Sequence, residues 1–504
     1  MGVIVFSVLR LRAAAIAAFT LLSGLPGLAH ADGTPVDWAK RLKDDVQAFH
    51  THVVNSHPGF HDPKNPAFRA QVEASFDQAM ARARTAHNQG GWWWTLKGFA
   101  ASFNDGHVEI DAVEKDFALP ARWPGFLTRF EGDDQIVAMI EGKGADIPSL
   151  GAKLVSCDGT DAKTLAQSRV GAFEGLWFLE AQRINSGPQL FMDLGNPWID
   201  PLKSCRFETE TGTVDIDLDW KAIDHSDLRD RGHKLMGLIK PPIGLRKLGN
   251  GAFWLSMSTF TSDIKRPEFE QLKKLVADAK AVQNDMRTAP FVVLDVRGNG
   301  GGNSEWSEKL GKILWGEDWL KAHPVEGGTI ADWRASKGNR AYLEKAQREL
   351  EKAGKDASTL AFLKRITDGM AKAEADGNPY WREEESVPPK PAQAHNEAVG
   401  TTIYALTDFR CASSCLTAVD TWKALGAIQV GRPTFADSFY MEGRRAELPS
   451  GKALLHFPMK VYRNRPRGSD QPEMPVHLFS GNMTDDAALE KWIASLKSGN
   501  PAGN

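Results

Sequence analysis

Five of the six residues from Phe291 to Val296 (FVVLDV) are apolar, and the run passes directly into Arg297-Gly298-Asn299-Gly300-Gly301-Gly302. A strand with one wet face would alternate apolar and polar side chains. A nearly continuous run fits a strand covered on both faces, the kind found in the parallel sheets of α/β folds. Thr401–Thr407 is a second run of this type. From about Leu245 onward the chain is therefore read as an α/β domain. The stretch 315–395 between the two strands is charged and helix-rich (AYLEKAQRELEKAGK), and is predicted to be an insertion over the core whose charges face solvent.

At 504 residues the chain is too long for one ordinary core, so two or three units are expected. Over 32–118 the pattern is helical. Trp38, Leu42, Val46 and Phe49 recur at three- and four-residue steps, as do Phe68, Val72 and Phe76. Asp37 and Asn65 are the predicted caps, the second with Pro66 as first helical residue. Trp92, Trp93 and Trp94 read most simply as a buried helix face. Over 119–235 the chain changes to short strands, with β-rich segments at Gln135–Ile140, Ala152–Ser156 and Thr213–Trp220.

The first 31 residues have a separate character. Arg10 and Arg12 precede the apolar run Ala13–Leu22, and Ala29-His30-Ala31 is a small-x-small cleavage pattern. This is expected to be a signal peptide, removed on export to a periplasmic or extracellular compartment, leaving no stable membrane span. Four cysteines in an oxidising setting allow three pairings. The favoured pairs are Cys157 with Cys205 and Cys411 with Cys415. Their spacing does not suit zinc, and neither metal nor cofactor is expected. A composition of 42% hydrophobic and 25% charged residues is that of an ordinary globular protein, and a net charge of -3 gives no reason to expect nucleic acid as partner.

Three separated segments carry candidate chemistry. In FVVLDVRGNGGGNS the triple glycine would leave backbone N–H groups exposed at a strand end, suited to an oxyanion and equally to a phosphate. In LTDFRCASSCLTAVDTWKALG a strand ends near Asp408 and a helix closes at Gly426. Ser413 and Ser414 lie at the junction, where serine is a common helix cap. The partial positive charge of a helix start also favours a nucleophile there. In FNDGHVEI, His107 follows an Asp-Gly turn. A serine nucleophile needs such a base, which a distant part of the chain can supply.

Between these segments lies LGAKLVSCDG (Leu150–Gly159), which resembles the strand and turn of PDZ domains. The whole order resembles the C-terminal processing (tail-specific) peptidase family, as do VGRPTFADSF (Val430–Phe439) and LPSGKALLHFP (Leu448–Pro458). The resemblance spans most of the chain apart from 315–395. It implies a crotonase-like β-β-α core over 245–500, an embedded PDZ-like β domain and a peptide or protein substrate, taken through its C-terminus in the PDZ manner. It maps the nucleophile to Ser413 and the oxyanion donors to the N–H groups of Ser414 and of Gly300, Gly301 and Gly302. Tail-specific members use a lysine base where this chain has Asp437. The branch resembling the tricorn core and the retinoid-binding protein modules uses a histidine, here His107. Asp105, Glu442 and Glu473 are the candidates for its orienting carboxylate.

The predicted chemistry is acyl transfer to water through an acyl-enzyme on Ser413. Two competing readings use the same residues. One is a binding protein that keeps the cleft without catalysis, a reading to which the missing lysine lends weight. The other is an esterase.

Overall fold

The computed structural model describes residues 36–114, 117–142, 146–237, 240–325, 329–352, 357–383, 394–398 and 400–496. The segment read as a signal peptide lies outside them. The fold is mixed α/β with several sheets.

Phe291–Asp295 is the centre of a six-stranded sheet. Its parallel neighbours are Phe253–Ser256 and Thr402–Thr407, followed by Ile428–Gly431 and His477–Leu478, with antiparallel Gly244–Lys247 at the far edge. The unbroken apolar run has a direct cause. Val292, Leu294 and Val296 enter one core with the helices Pro267–Ala281, Glu305–Trp315 and Ser414–Leu425. Phe291 and Val293 enter another, closed by Leu489 and Ile493 of the helix Asp486–Leu496. Side chains alternate between faces, and both faces are dry.

The strand ends on a buried ion pair. Arg297 and Asp295 are both fully buried, joined at 2.9 Å through Nε and 2.6 Å through Nη2. Trp254 Nε1 also donates to Asp295 at 2.9 Å, and Arg297 Nη1 donates to the Met483 carbonyl at 2.6 Å. These bonds fix where the chain leaves the sheet and enters the glycine turn.

A second, antiparallel sheet is built around the long strand Ala453–Arg463. It pairs with Tyr440–Glu447, with Ile330–Arg334, and with Glu109–Ala112 from the N-terminal region. The stretch 315–395 is therefore more than a helical cover. Its strands Ile330–Arg334 and Tyr380–Glu383 extend this sheet, and its helices Lys337–Lys352 and Ala357–Ala375 pack there through Leu343, Leu363, Ile366 and Met370. The expectation of solvated charge holds for one side of these helices only.

The N-terminal helices Trp38–Ser56, Ala67–Ala83 and Gln89–Ala101 share a core with Leu455, Phe457 and Val461 of the long strand. Asp37 caps the first, accepting the Lys40 N–H at 2.9 Å. The second differs from expectation: Pro66 is its cap, without a side-chain bond, and Asn65 instead donates to the Tyr440 hydroxyl at 3.2 Å. A tertiary partner has taken the side chain that local pattern assigned to the helix end.

The middle of the chain forms a separate β unit with strands Phe126–Glu131, Asp134–Ile140, Lys153–Cys157, Thr160–Asp161, Ser204–Thr209 and Gly212–Asp217. Cys157 and Cys205 are cross-strand partners there and are joined by a disulfide, and Cys411 is joined to Cys415. Among the described residues no helix is long and apolar enough to cross a membrane.

Arg297→Met would strand the buried Asp295 carboxylate. The expected loss is about 3–5 kcal/mol of folding stability, read from the denaturant midpoint.

Candidate active site

The strand Thr402–Thr407 and the helix Ser414–Leu425 are joined by a short turn that the Cys411–Cys415 disulfide closes across Ser413. Ser413 occupies φ 55, ψ -123, a conformation costly for a residue with a side chain. It stands at the cap position, but its hydroxyl makes no capping bond. Its carbonyl accepts the Leu416 N–H at 2.9 Å. Capping therefore does not explain this serine. The Ser414 N–H lies in the first helical turn, where no intrahelical acceptor exists.

The glycine turn is pressed against this bend. A Cβ on Gly301, at φ 98, would lie 2.8 Å from the Ala412 carbonyl oxygen, 2.9 Å from Ser413 Cβ and 3.0 Å from Ser414 N. No other residue fits. Gly302 is as constrained from the other side, its Cβ position only 2.1 Å from the Phe260 carbonyl oxygen. Ser414 Oγ donates to the Gly302 carbonyl at 2.5 Å, locking the two turns together.

Of the three glycine N–H groups, that of Gly301 is engaged, donating to Asn299 Oδ1 at 2.8 Å. It is removed from the expected set of oxyanion donors. Gly300 and Gly302 line the cleft beside Ser413. Asn299 is fully buried and also donates to the Met257 carbonyl at 2.8 Å, so it holds the turn's shape. Sequence reading passed over it, although an asparagine between glycines is a signal for such a bridge.

His107 reaches the same cleft from the N-terminal region. Asn104, at φ 48, opens the turn, and the strand Glu109–Ala112 that follows is registered on Ala453–His456. Asp105, Gly106, His107, Gly300, Gly302, Ala412, Ser413 and Asp437 all line one cleft of about 720 Å³. The β unit supplies another wall, including Leu176 and Asn185.

Among the three candidate carboxylates, Asp105 is the one beside the imidazole. Its Oδ1 lies 3.5 Å from His107 Nδ1 and accepts the His107 backbone N–H at 2.8 Å. Its Oδ2 accepts the Ser438 hydroxyl at 2.9 Å. At 3.5 Å the side-chain contact is chiefly electrostatic. Glu442 instead pairs with Lys460 at 3.4 Å, and Glu473 pairs with Lys423 and lies 3.8 Å from Arg467. Neither lines the cleft wall that carries His107.

Burial works against an imidazolium at His107, but the contact with and charge of Asp105, then the charges of Asp437 and Glu109, outweigh it and raise its pKa above the usual value. Burial likewise pushes the Asp105 carboxyl up, and the His107 contact prevails and holds it down. His57, by contrast, is pushed down to about 4 by burial and serves the core, accepting the Gly59 N–H at 2.9 Å.

Asp437 stands at the position where the resemblance described above would place a lysine. Its Oδ1 accepts from Arg467 at 2.5 Å and lies 3.2 Å from Arg465, which makes it an anchored carboxylate on the cleft wall.

No protein-family model and no curated protein matches the sequence. Solved structures do. Mature CPAF superposes with a TM-score of 0.56 at 13% identity, over 91% of this chain and 96% of that one. Mature CPAF complexed with lactacystin gives 0.56 at 14% identity, over 92% and 99%. At these identities the likeness is one of fold, and it extends over nearly the whole length of both chains.

The His107 imidazole should titrate above 6.5. Asp105→Asn should lower that pKa, because the neighbouring charge that favours the imidazolium is gone. Histidine ring NMR across pH 5–9 checks both; a titration unmoved by the substitution would contradict the assignment of Asp105 as the imidazole's partner.

Proposed function

We propose that the chain is an exported serine hydrolase, most specifically a peptidase of the C-terminal processing type in its histidine-using branch. Ser413 is the nucleophile, His107 the base and Asp105 its orienting carboxylate. The observation that carries this reading is the convergence on one cleft of a strained, uncapped serine, a histidine backed by a buried carboxylate, and a glycine turn. These come from three segments spread over some 300 residues of the chain. Strained backbone of the kind at Ser413 occurs at active sites and at ligand clamps alike; the histidine and buried carboxylate beside it favour the catalytic reading over the binding one.

The steps follow from the positions. His107 is held with Nδ1 toward Asp105, which leaves Nε2 as the atom that takes the Ser413 proton. The Ser413 oxygen attacks the carbonyl carbon of the scissile bond. The resulting oxyanion is met by the Ser414 N–H and by N–H groups of the Gly300 and Gly302 pair, which replace the three-glycine set expected from sequence. The imidazolium then gives its proton to the leaving amine, and the acyl-enzyme forms. Water, deprotonated by His107, releases the acid and restores the serine.

In this reading the parallel sheet and its helices are the crotonase-like core. The six-stranded β unit is the PDZ-like module, set against the cleft so that an extended peptide passes both. Two disulfides suit a mature protein in an oxidising compartment.

Ser413→Ala should lower peptide turnover by about 10⁴-fold or more without shifting the melting temperature downward. Because the base must be neutral, kcat/KM should rise with pH through a value above 6.5 and fall away below it. Wild-type turnover in the alanine variant would refute the nucleophile. A profile flat from pH 5 to 8 would refute the histidine base.

A further inference from the structure

The three consecutive tryptophans have no part in the chemistry above. Successive residues on the helix Gln89–Ala101 point about 100° apart, so three indoles cannot share one face. Trp92 turns into the helical core and donates to Asp45 Oδ2 at 2.7 Å. Trp94 is 7% exposed and donates to the Leu194 carbonyl at 3.0 Å. Trp93 is left half-buried, its ring 4.8 Å from that of Phe117.

Trp93 lines a cavity of about 280 Å³ between this helix and the β unit, together with Phe117, Leu119, Pro188, Met192 and Leu194. The cavity adjoins the catalytic cleft. Lys97, Glu174, Asn185, Gln189, His233 and Met236 line both. Its apolar walls offer water few partners, while the shared border is polar and includes the Lys97–Glu174 pair at 3.4 Å. Its volume lies at the lower limit of the ~300–1,000 Å³ typical of sites that enclose a small ligand. It suits a single large side chain entering from the cleft, with Asn185 and Gln189 available to the backbone that carries it.

We infer that this cavity is an anchoring subsite for one bulky apolar side chain, aromatic or leucine-like, of a peptide lying in the cleft. The inference rests on the peptidase reading for the nature of the ligand. It adds that selectivity is set at a position away from the scissile bond, by the helix that carries Trp93 and the segment that carries Leu194. A peptide lacking such a residue would keep its contacts at Ser413 and lose the anchor.

The test separates binding from chemistry. Full-length Ser413→Ala protein is titrated with glycine-serine peptides in which one phenylalanine is walked along the chain, and Kd is read by calorimetry. The expected result is one position at which phenylalanine tightens binding about tenfold or more. Adding Leu194→Trp or Met192→Trp, either of which fills the cavity at a residue that does not line the catalytic cleft, should abolish that gain and leave the affinity of the phenylalanine-free parent unchanged. Two filling variants are used so that a folding defect in one does not decide the matter. Equal affinity at every position, or a gain that survives both substitutions, would overturn the subsite. If the wild-type protein fails to cleave peptides that the Ser413→Ala protein binds with this preference, the peptidase reading falls and the subsite stands. If the wild type cleaves them while binding shows no preference, the subsite alone falls.

Discussion

Two backbone turns, from strands far apart in sequence, meet at van der Waals distance because Gly301 has no side chain. Its Cβ position would fall within 3.0 Å of three atoms of the Ala412–Ser414 bend, two of them backbone. Everything at the site is arranged around that contact. It places the Gly300 and Gly302 backbone beside Ser413, and it lets Ser414 Oγ reach the Gly302 carbonyl. The strands beneath are parallel neighbours, registered from Phe291 with Thr402 to Asp295 with Leu406, so their ends emerge side by side. The Asp295–Arg297 pair and the Cys411–Cys415 disulfide then restrict the two exits. The strain at Ser413 is held by this surrounding structure, as unfavourable backbone conformations must be.

The histidine arrives by a different route. Its turn is delivered by the strand Glu109–Ala112, which the second sheet fixes in register against Ala453–His456. A shift of one residue would invert every side chain in that strand. The N-terminal helices and the long strand share one apolar core, so the helical region helps to position the turn that carries His107. Ser438 completes the arrangement from the same sheet by holding Asp105 Oδ2. Electrostatics and packing agree here: the carboxylate facing the imidazole is buried and doubly hydrogen-bonded.

Much of this was legible in the sequence because it depends on local pattern. The two-faced apolar runs, the Asp37 cap and the segments that bear the cleft residues are all written in spacing and residue type. The rest depends on which side chains meet after folding. Asn65 reads as a cap and instead bonds Tyr440, which lies 375 residues away. Glu442 and Glu473 were as eligible as Asp105 until Lys460 and Lys423 were seen to occupy them. The Gly301 N–H could be counted as a free donor only while the direction of Asn299 was unknown. The strands at Ile330–Arg334 and Tyr380–Glu383 are too short and too charged at their ends to stand out within a helix-rich stretch.

The central claim is that Ser413 is a nucleophile activated by its surroundings, with His107 as its base. Mass spectrometry of the intact protein after exposure to a fluorophosphonate, followed by peptide mapping, addresses it most directly. The expected result is a single adduct on Ser413 that forms quickly in the wild type and far more slowly in His107→Ala. No adduct, an adduct on another serine, or equal labelling rates in the two proteins would contradict it.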